Sequence, residues 1–250
     1  MSAAVPELRV FDTAEDLAQR LADWIVERIG GASGRVALCL SGGTTPRRLY
    51  ELLGAAPRRD RLPWARLHCF WGDERFVPQD NPDSNFRMAY DALLRHVPIP
   101  AQNIHAVPVT RTSAAAAATE YERMLKDFHG ADALDPARPL FDLTLLGLGE
   151  DGHIASLFPR SPALAETRHW AVPVVGQGAL DRISLTYPAL ASSAFTVFVV
   201  AGERKRAALS RLLAGDQTLP ATRLRPVGEF FCLADRAAAP AALAPAFSGA

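Results

Sequence analysis

The alternation of short apolar runs with amphipathic helical segments limits the fold of this 250-residue chain more than any other feature. The runs are dense in Val, Leu, Ile and Phe, as expected of strands that are buried on both faces. The predicted strands are RVALCL, RLHCFWG, FDLTLLGLG, WAVPVV, RISLT, FTVFVVAG and EFFCLAD. Because helical segments lie between these runs, the sequence predicts an α/β fold in which a largely parallel sheet is covered by helices on both faces.

The helices have recognisable ends. Thr13 is a plausible N-cap for TAEDLAQRLADWIVERIGG, which Gly30 and Gly31 stop. Further helices are predicted in PRRLYELLG, DSNFRMAYDALLRHV (ending near Pro98), SAAAAATEYERMLKDFHG and ERKRAALSRLLAG, with an extended NIHAVPV and a short helical turn near HIASLF. No composition shift marks a linker, so we expect a single domain over residues 1–250, of which about 236–250 form a frayed tail without periodicity.

The charges balance, with 27 Lys and Arg against 27 Asp and Glu, so no overall field favours nucleic acid or a membrane surface. MSAAVPELRVFDTAEDL does not have the pattern of a signal peptide, and no apolar run reaches the ~18 residues of a membrane-spanning helix. Cys39, Cys69 and Cys232 each lie in an apolar run, which favours buried free thiols. The predicted compartment is the cytosol.

Binding sites of parallel sheets lie at the carboxyl ends of the strands. After the first such strand, LSGGTTP places Gly42 and Gly43 in a turn, Thr44 or Thr45 at an N-cap and Pro46 at a first helical position. The N–H groups of such a helix start suit a phosphate. The motif is neither a Walker loop nor a GxGxxG fingerprint, and without the leading Gly of GxSxG its serine is a poor covalent nucleophile. A plain strand-to-helix turn is the alternative.

Two further loops carry polar residues directly after a predicted strand. Asp73, Glu74 and Arg75 follow RLHCFWG, and an internal ion pair would explain them as well as a functional role would. Asp151 and His153 lie in GLGEDGH, where the glycines allow close backbone approach. A lone histidine is more often structural, but its position at the active edge of the sheet favours function.

Metal binding is disfavoured at GLGEDGH. Glu150, Asp151 and His153 are too close in sequence to close a site alone, and the chain has no HExxH or CxxC motif. We therefore predict no metal. Arg182 in DRISLTYPAL and Lys205 in VVAGERKRAAL would singly be surface charges, but at one sheet edge they could supply the cations that a phosphate needs.

Together these loops resemble the 6-phosphogluconolactonase family, which belongs to the wider group of glucosamine-6-phosphate isomerases and related sugar-phosphate enzymes. The resemblance rests on LSGGTTPRRLYELL (40–53), FWGDERFVPQDNPDSNFRMAYDALL (70–94) and LLGLGEDGHIASLFP (145–159), and more loosely on RISLTYPAL and VVAGERKRAAL. It extends in order from about residue 8 to residue 235. The long GDERFVP and DGHxASLFP blocks are specific in combination, whereas the SGG loop alone is not.

The resemblance implies a Rossmann-like α/β fold and hydrolysis of 6-phospho-D-glucono-1,5-lactone to 6-phosphogluconate, the second step of the oxidative pentose phosphate pathway. It implies no metal or organic cofactor, and it identifies His153 as catalytic with Asp151 beside it. The positions that match substrate-binding residues are Ser41, Gly42, Gly43, Thr44, Arg75, Arg182 and Lys205. The expected partner is a small phosphorylated sugar lactone, without nucleic acid or membrane, in a monomer or small homo-oligomer.

Residue-level chemistry is compatible with this activity, because a strained δ-lactone needs only one well-placed general base. We expect His153 to take a proton from water, and Asp151 or another carboxylate to orient the imidazole. A glucosamine-6-phosphate isomerase/deaminase is one alternative, although that branch has DEY and HIAFNEP where this chain has DERF and HIASLFP; Asp73 matches its proton-transfer base. A non-catalytic sugar-phosphate sensor is the other, and it would need a DNA-binding segment.

Overall fold

A computed structural model describes residues 5–240 of the chain. Its strands are β1 (Glu7–Phe11), β2 (Val36–Leu40), β3 (Leu67–Trp71), β4 (Asp73–Arg75), β5 (Phe141–Leu146), β6 (Ala171–Val174), β7 (Arg182–Leu185), β8 (Ser193–Val200) and β9 (Glu229–Asp235). Six of them form one sheet in the order β1-β9-β8-β5-β2-β3, and every neighbouring pair is parallel. A second, antiparallel sheet has the order β4-β7-β6.

The sheets are flanked by helices. These are α1 (Ala14–Ile29), α2 (Thr44–Leu53), α3 (Asn85–Ala92), α4 (Ala114–His129), α5 (Tyr187–Ala191) and α6 (Arg206–Leu213). Helix α1 packs against α2 and α2 against α3, whereas α4 packs against β6 and β7. The predicted α/β fold with a largely parallel sheet is thus confirmed, and helical amphipathicity explains which faces are buried.

Helix caps follow the predicted chemistry in part. The Thr13 side chain accepts a hydrogen bond from the Asp16 N–H and caps α1, as expected. Helix α2, however, begins at Thr44 with Gly43 as N-cap, and Pro46 is its third residue and not its first. The expectation of a threonine cap is therefore wrong, and no side-chain oxygen occupies the amide groups that open α2.

Two buried tyrosines fix the ends of β2 and β3. The Tyr50 hydroxyl, from α2, accepts from the Ser41 N–H at 2.9 Å and donates to the Ser41 carbonyl at 2.8 Å. The Tyr121 hydroxyl, from α4, makes the same pair of bonds with Trp71, at 2.8 and 2.9 Å. Both tyrosines are almost fully buried. Each satisfies backbone groups where a strand leaves the ladder, so the loops after β2 and β3 start from fixed points.

The order of the strands creates a crevice at the carboxyl edge of the large sheet. The chain passes from β2 to β3 on one side of β2, and β5 then lies on the other side of β2. Loops that leave β2 and β5 therefore diverge, and such a switch point is where open α/β sheets bind ligands. The loops that carry Ser41 and His153 both start there.

Some sequence predictions fail. Strands β1 and β4 were not expected, and HIASLF contains no helix: Ala155 has a positive φ of 47°, and Ile154 bridges to Leu157 across the turn. Residues 236–240 are packed and do not fray, since the Arg236 N–H donates to the Phe11 carbonyl and Ala238 and Ala239 are buried. The rest of the predicted tail, residues 241–250, lies outside the described residues.

Candidate active site

The turn after β2 contributes open backbone amides. Ser41 and Gly42 are half-buried, whereas Gly43 and Thr44 are exposed at the start of α2. A Cβ atom on Gly42 would lie only 2.0 Å from the Asn85 Oδ1 atom, so only glycine lets this turn approach α3 so closely. The positive end of the α2 dipole and its uncapped N–H groups therefore face the crevice, as an anion site requires.

The small sheet brings two arginines side by side. Arg75 of β4 pairs directly with Arg182 of β7, an arrangement in which like charges lie opposite each other. The Nε atom of each guanidinium is buried and lacks a hydrogen-bond partner among the residues that the structure describes. Burial lowers the pKa of Arg182, although the Asp73 carboxylate raises it. Two cations at neighbouring positions, each with an unused Nε donor, form a natural place for a multiply charged anion.

Asp73 and Glu74 serve different neighbours. The Glu74 carboxylate accepts from the N–H groups of Asn85 and Phe86 at 2.8 and 2.7 Å and from the Ser84 hydroxyl at 3.0 Å, so it holds the start of α3. Burial raises the pKa of Glu74, while these hydrogen bonds lower it. Glu74 therefore has a structural role but forms no ion pair among the described residues, so the predicted alternative of an internal ion pair does not apply to it. Asp73 instead lies 3.8 Å from the Arg182 Nη1 atom, in the crevice.

The loop after β5 presents the histidine through a second close backbone approach. The Gly149 N–H donates to the His153 carbonyl at 2.9 Å, and the Gly152 N–H donates to the Gly149 carbonyl at 3.0 Å. A Cβ atom on Gly149 would lie 2.1 Å from the His153 Nδ1 atom and 2.6 Å from the Asp151 carboxylate. Gly149 is thus the surface against which the imidazole rests, which explains the glycine at this position.

Asp151 and His153 form a hydrogen-bonded pair. The His153 Nδ1 atom lies 2.6 Å from the Asp151 Oδ1 atom, which also accepts from the His153 backbone N–H at 3.2 Å. Burial raises the pKa of Asp151, but the hydrogen bonds from His153 outweigh it and the pKa lies below its usual range. A carboxylate at Nδ1 favours the tautomer with the proton there, so the Nε2 lone pair is directed away from Asp151.

Phe158 packs against both His153 and Arg182. Its ring centroid is 4.6 Å from that of His153, and the Arg182 guanidinium carbon lies 5.3 Å from the Phe158 centroid. The aromatic ring therefore contacts the imidazole and the guanidinium and helps to hold both.

Lys205 lies on the segment that follows β8. It ends a short turn, Glu203–Lys205, between β8 and α6, and β8 is the neighbour of β5 in the sheet. The adjacent Arg204 forms an ion pair with Glu150 at 3.3 Å, which joins this turn to the histidine loop. Within residues 5–240 the Lys205 ammonium has no ion-pair partner.

The predicted site residues thus lie on the segments after β2, β5 and β8 and on strands β4 and β7 of the small sheet. Sequence reasoning missed Asn85, Ser156 and Phe158, which link those loops to one another. Their only signal was membership of the NPDSN and HIASLFP blocks, and no spacing rule relates Ser156 to a carboxylate 83 positions earlier. Among residues 5–240, no group of three His, Cys, Asp or Glu side chains is placed to hold a metal ion.

An Asp-supported imidazole beside a crevice of arginines and helix-start amides places the chain among α/β proteins equipped to bind an anion and move a proton. The family itself follows from comparison with known proteins. The model for glucosamine-6-phosphate isomerases/6-phosphogluconolactonase matches residues 12–232, and the chain belongs to this family. The predicted family resemblance is confirmed.

Relatives cover nearly the whole chain. The 6-phosphogluconolactonase of Nostoc sp. is 41% identical over 228 residues, which make up 89% of this chain and 92% of that protein. The 6-phosphogluconolactonase of Synechocystis sp. is 40% identical over 239 residues, or 93% and 97% of the two chains. The solved structure of 6-phosphogluconolactonase from Trypanosoma cruzi matches with a TM-score of 0.82 at 28% identity, covering 95% of this chain and 97% of that one.

Proposed function

We propose that this protein hydrolyses 6-phospho-D-glucono-1,5-lactone to 6-phosphogluconate in the oxidative pentose phosphate pathway, as a 6-phosphogluconolactonase. Relatives that carry this name are 40–41% identical over about nine tenths of the chain. The observation that carries the proposal is the Asp151–His153 pair at 2.6 Å, beside two arginines with unused donors. This combination suits a neutral base acting on a phosphorylated substrate.

His153 is the general base of the proposed mechanism. Within the described residues, no protein group hydrogen bonds to its Nε2 atom, and about a third of the side chain is exposed, so water can reach it. Histidine is the side chain that most often serves as a general base in enzymes. Nε2 removes a proton from water as the oxygen attacks the lactone carbonyl. The ring C–O bond then breaks, and the imidazolium returns the proton to the ring oxygen.

Asp151 orients the imidazole and stabilises its charged form. Its lowered pKa keeps it ionised throughout the pH range in which His153 works. The oxyanion of the tetrahedral intermediate requires a donor that is already in place. Arg75, directly opposite Arg182 in the small sheet, is the candidate.

The 6-phosphate binds to Arg182, Lys205 and the turn formed by Ser41, Gly42, Gly43 and Thr44. Support comes from the uncapped start of α2, from the unpartnered Nε of Arg182 and from the turn that carries Lys205 beside the histidine loop. Most ground-state affinity then arises at the phosphate, several bonds away from the carbonyl. No metal or organic cofactor takes part in this proposal.

The surroundings of Asp73 favour the lactonase over the isomerase branch of the family. Isomerisation would need a carboxylate free to shuttle a proton between sugar carbons. Here the Asp73 Oδ2 atom accepts from the Ser156 hydroxyl at 2.6 Å and lies 3.8 Å from Arg182. A carboxylate that is held in this way is a fixed charge and a poor proton carrier.

The test is a coupled assay. Glucose 6-phosphate and its dehydrogenase generate the lactone in situ, and its loss is followed with and without this protein. We expect disappearance well above the spontaneous rate, and no ammonia from glucosamine 6-phosphate. Ammonia release without lactone hydrolysis would assign the isomerase activity, and saturable binding without turnover would assign a sensor.

The cytosol remains the predicted compartment. All three cysteines are free and buried, as expected in a reducing environment. None of the helices in residues 5–240 is long and apolar enough to span a bilayer. A monomer or small homo-oligomer is still our expectation, which light scattering would test.

A further inference from the structure

Ser156 joins the histidine loop to the small sheet. It follows His153 by three residues, is fully buried, and makes two hydrogen bonds to β4 and β7. Its N–H donates to the Ser184 Oγ atom at 3.1 Å, and its hydroxyl donates to the Asp73 Oδ2 atom at 2.6 Å. Asp73 and Ser184 are themselves directly paired across the two strands. A single residue is thus bound to both strands that carry the arginines.

The two hydrogen bonds of Ser156 help to determine the backbone path of the loop that follows His153. Ala155, between His153 and Ser156, has a φ of 47°, a conformation that is unfavourable for a residue with a side chain. Ile154 and Leu157 bridge across the turn, and both are completely buried. Such backbone strain persists where the surroundings over-determine it, and the two Ser156 hydrogen bonds are part of those surroundings.

The same carboxylate oxygen connects the loop to the substrate cation. Asp73 Oδ2 receives the Ser156 hydroxyl and lies 3.8 Å from the Arg182 Nη1 atom. The other oxygen, Oδ1, lies 3.4 Å from the Asn85 Nδ2 atom, which also donates to the Asp73 carbonyl at 2.9 Å. Asp73 is 8% exposed, and its carboxylate is surrounded by Ser156, Arg182 and Asn85.

We infer that Ser156 and Asp73 are positioning residues that set the distance between the general base His153 and the phosphate-binding Arg182. The inference rests on the proposed function. Ser156 acts through Asp73: its hydroxyl fixes the carboxylate that orients the guanidinium, and its backbone fixes the loop that carries the imidazole. The distance between His153 and Arg182 is thereby matched to the distance between the lactone carbonyl and the 6-phosphate of the substrate.

The experiment compares Ser156→Ala, Asp73→Ala and the double variant with wild type in the coupled lactone assay. Ser193→Ala is the matched control, since Ser193 is also fully buried and donates to a carbonyl, that of Phe195, at 2.8 Å. We expect Ser156→Ala to lower kcat and raise KM together, with kcat/KM reduced by ~10- to 100-fold, because small misplacements of reacting groups have effects of this size. Its melting temperature should fall no further than that of Ser193→Ala.

The double variant tests whether Ser156 acts through Asp73. If it does, Ser156→Ala adds little to the effect of Asp73→Ala, so the two losses do not multiply. Should Asp73→Ala fail to fold, Asp73→Asn is measured as a single variant, and Ser156→Ala alone decides the positioning role. The Asn keeps an oxygen that can accept from Ser156 but loses the charge facing Arg182, so KM should rise more than kcat falls.

The outcomes separate the two proposals. A wild-type protein without lactonase activity overturns the proposed function itself. An active wild type with unchanged kcat and KM in Ser156→Ala overturns the positioning role alone. Losses that multiply in the double variant, or a loss of activity that parallels a loss of melting temperature, overturn it as well.

Discussion

At the scale of single residues, the hydrogen bond between Asp151 and His153 decides which nitrogen meets solvent. Because the carboxylate holds Nδ1 at 2.6 Å, Nε2 is the nitrogen that acts as the base in the proposed mechanism. A neutral imidazole with one fixed nitrogen can both accept and return a proton during one turnover. Asp151 needs no further hydrogen-bond partner to orient the ring.

The first prediction concerns His153→Ala. Loss of the base should reduce kcat by ~10²- to 10⁴-fold, the usual contribution of general base catalysis. The melting temperature should change little, because the side chain is about one-third exposed. Initial rates in the coupled assay, corrected for spontaneous hydrolysis, test this.

An exposed histidine in the short turn after α3 serves as control. His96→Ala removes a side chain that hydrogen bonds only to the Asp91 carbonyl, and it should leave kcat and KM unchanged. Near-wild-type turnover of His153→Ala would contradict the mechanism.

The second prediction concerns Gly149→Ala. The new methyl group would lie 2.1 Å from Nδ1 of His153, so the imidazole must move and the bond to Asp151 must break or lengthen. We expect kcat to fall about as far as in His153→Ala, with KM less affected. Steady-state kinetics test this, and Gly34→Ala, where no atom lies within 4 Å, is the matched control. Equal kcat values for Gly149→Ala and Gly34→Ala would be inconsistent with the packing described.

The sequence predicts the residues of the site better than their connections. His153, Asp151 and Arg75 could be found because each lies next to a glycine turn or a strand end. The roles of Ser156 and Asn85 could not, since each depends on a partner in another loop and neither residue type is unusual there. A hydrogen bond between positions 73 and 156 is a property of the fold and leaves no local pattern.

At the scale of elements, the antiparallel pairing of β4 with β7 places two like charges at opposite positions. Arg75 and Arg182 are direct partners, and like charges in this position destabilise a pair of strands. Asp73, 3.8 Å from the Arg182 Nη1 atom, offsets part of that cost. An anion bound beside both arginines would offset more of it.

The third prediction concerns Arg182→Ala. We expect KM to rise by ~10- to 100-fold with kcat changed much less, because in the proposed function Arg182 binds the phosphate and not the reacting carbonyl. Inorganic phosphate should raise the melting temperature of wild type and have a smaller effect on the variant. Arg168→Ala, at an exposed position outside the small sheet, is the control. An unchanged KM would remove Arg182 from the phosphate site.

His68 of the edge strand β3 and His105, next to the residue that bridges to Cys69, form a pair that makes the fold sensitive to acid. The His68 Nδ1 atom lies 3.0 Å from the His105 Nε2 atom, and the His105 ring stacks on Phe70 at 4.3 Å. Burial, then His68 and Arg35, lower the pKa of His105 to about 4; burial and Arg35 also lower the pKa of His68. The folded protein therefore binds fewer protons here than the unfolded chain does.

The fourth prediction follows from that difference. The stabilising effect of the neutral pair is complete above pH 6.5 and is lost as the pH falls from 6.5 toward 4. Allowing for solvent screening, we expect His105 to contribute about 1–2 kcal/mol to the loss of unfolding free energy. Urea unfolding at pH 7.5 and 4.5 measures it. His105→Phe should show a smaller loss than wild type, whereas His96→Ala should show the same loss.

Element prediction succeeded where strands are buried on both faces, as in β2, β5 and β8. It failed for β1, whose residues are partly exposed, and for β4, which is only three residues long. It also failed for HIASLF, because the apolar spacing resembles a helical turn while the hydrogen bonds of Ser156 impose a different backbone. The partners of β6 and β7 could not be predicted, since an antiparallel sheet and an edge of the parallel sheet require the same residue types.

At the scale of the whole molecule, the three cysteines report on global unfolding. All are completely buried, and burial raises the pKa of Cys69 and Cys232 to about 12; the pKa of Cys39 is raised further, by burial and then by Asp73. Thiolate formation and access both require opening of the core.

The fifth prediction is that a colorimetric thiol reagent labels no cysteine in the native protein within minutes at pH 8. In denaturing urea it should label three thiols per chain. Rapid labelling of any cysteine without denaturant would contradict the packing of the sheet. Cys232→Ser, with two labelled thiols in urea, calibrates the count.

The pairing of β1 with β9 has a consequence for synthesis on the ribosome. Residue 7 pairs with residue 231, and Asp12 forms an ion pair with Arg236, 224 positions later. At 5–20 residues per second, the ribosome needs roughly 10–45 s to reach β9 after it has made β1. During that interval the first strand has no partner in the sheet, while β2, β3 and β5 can already assemble. The edge that carries His153 can therefore form before β1 joins the sheet. A nascent chain stalled before β9 would have the His153 loop but would lack the strand that pairs with β1.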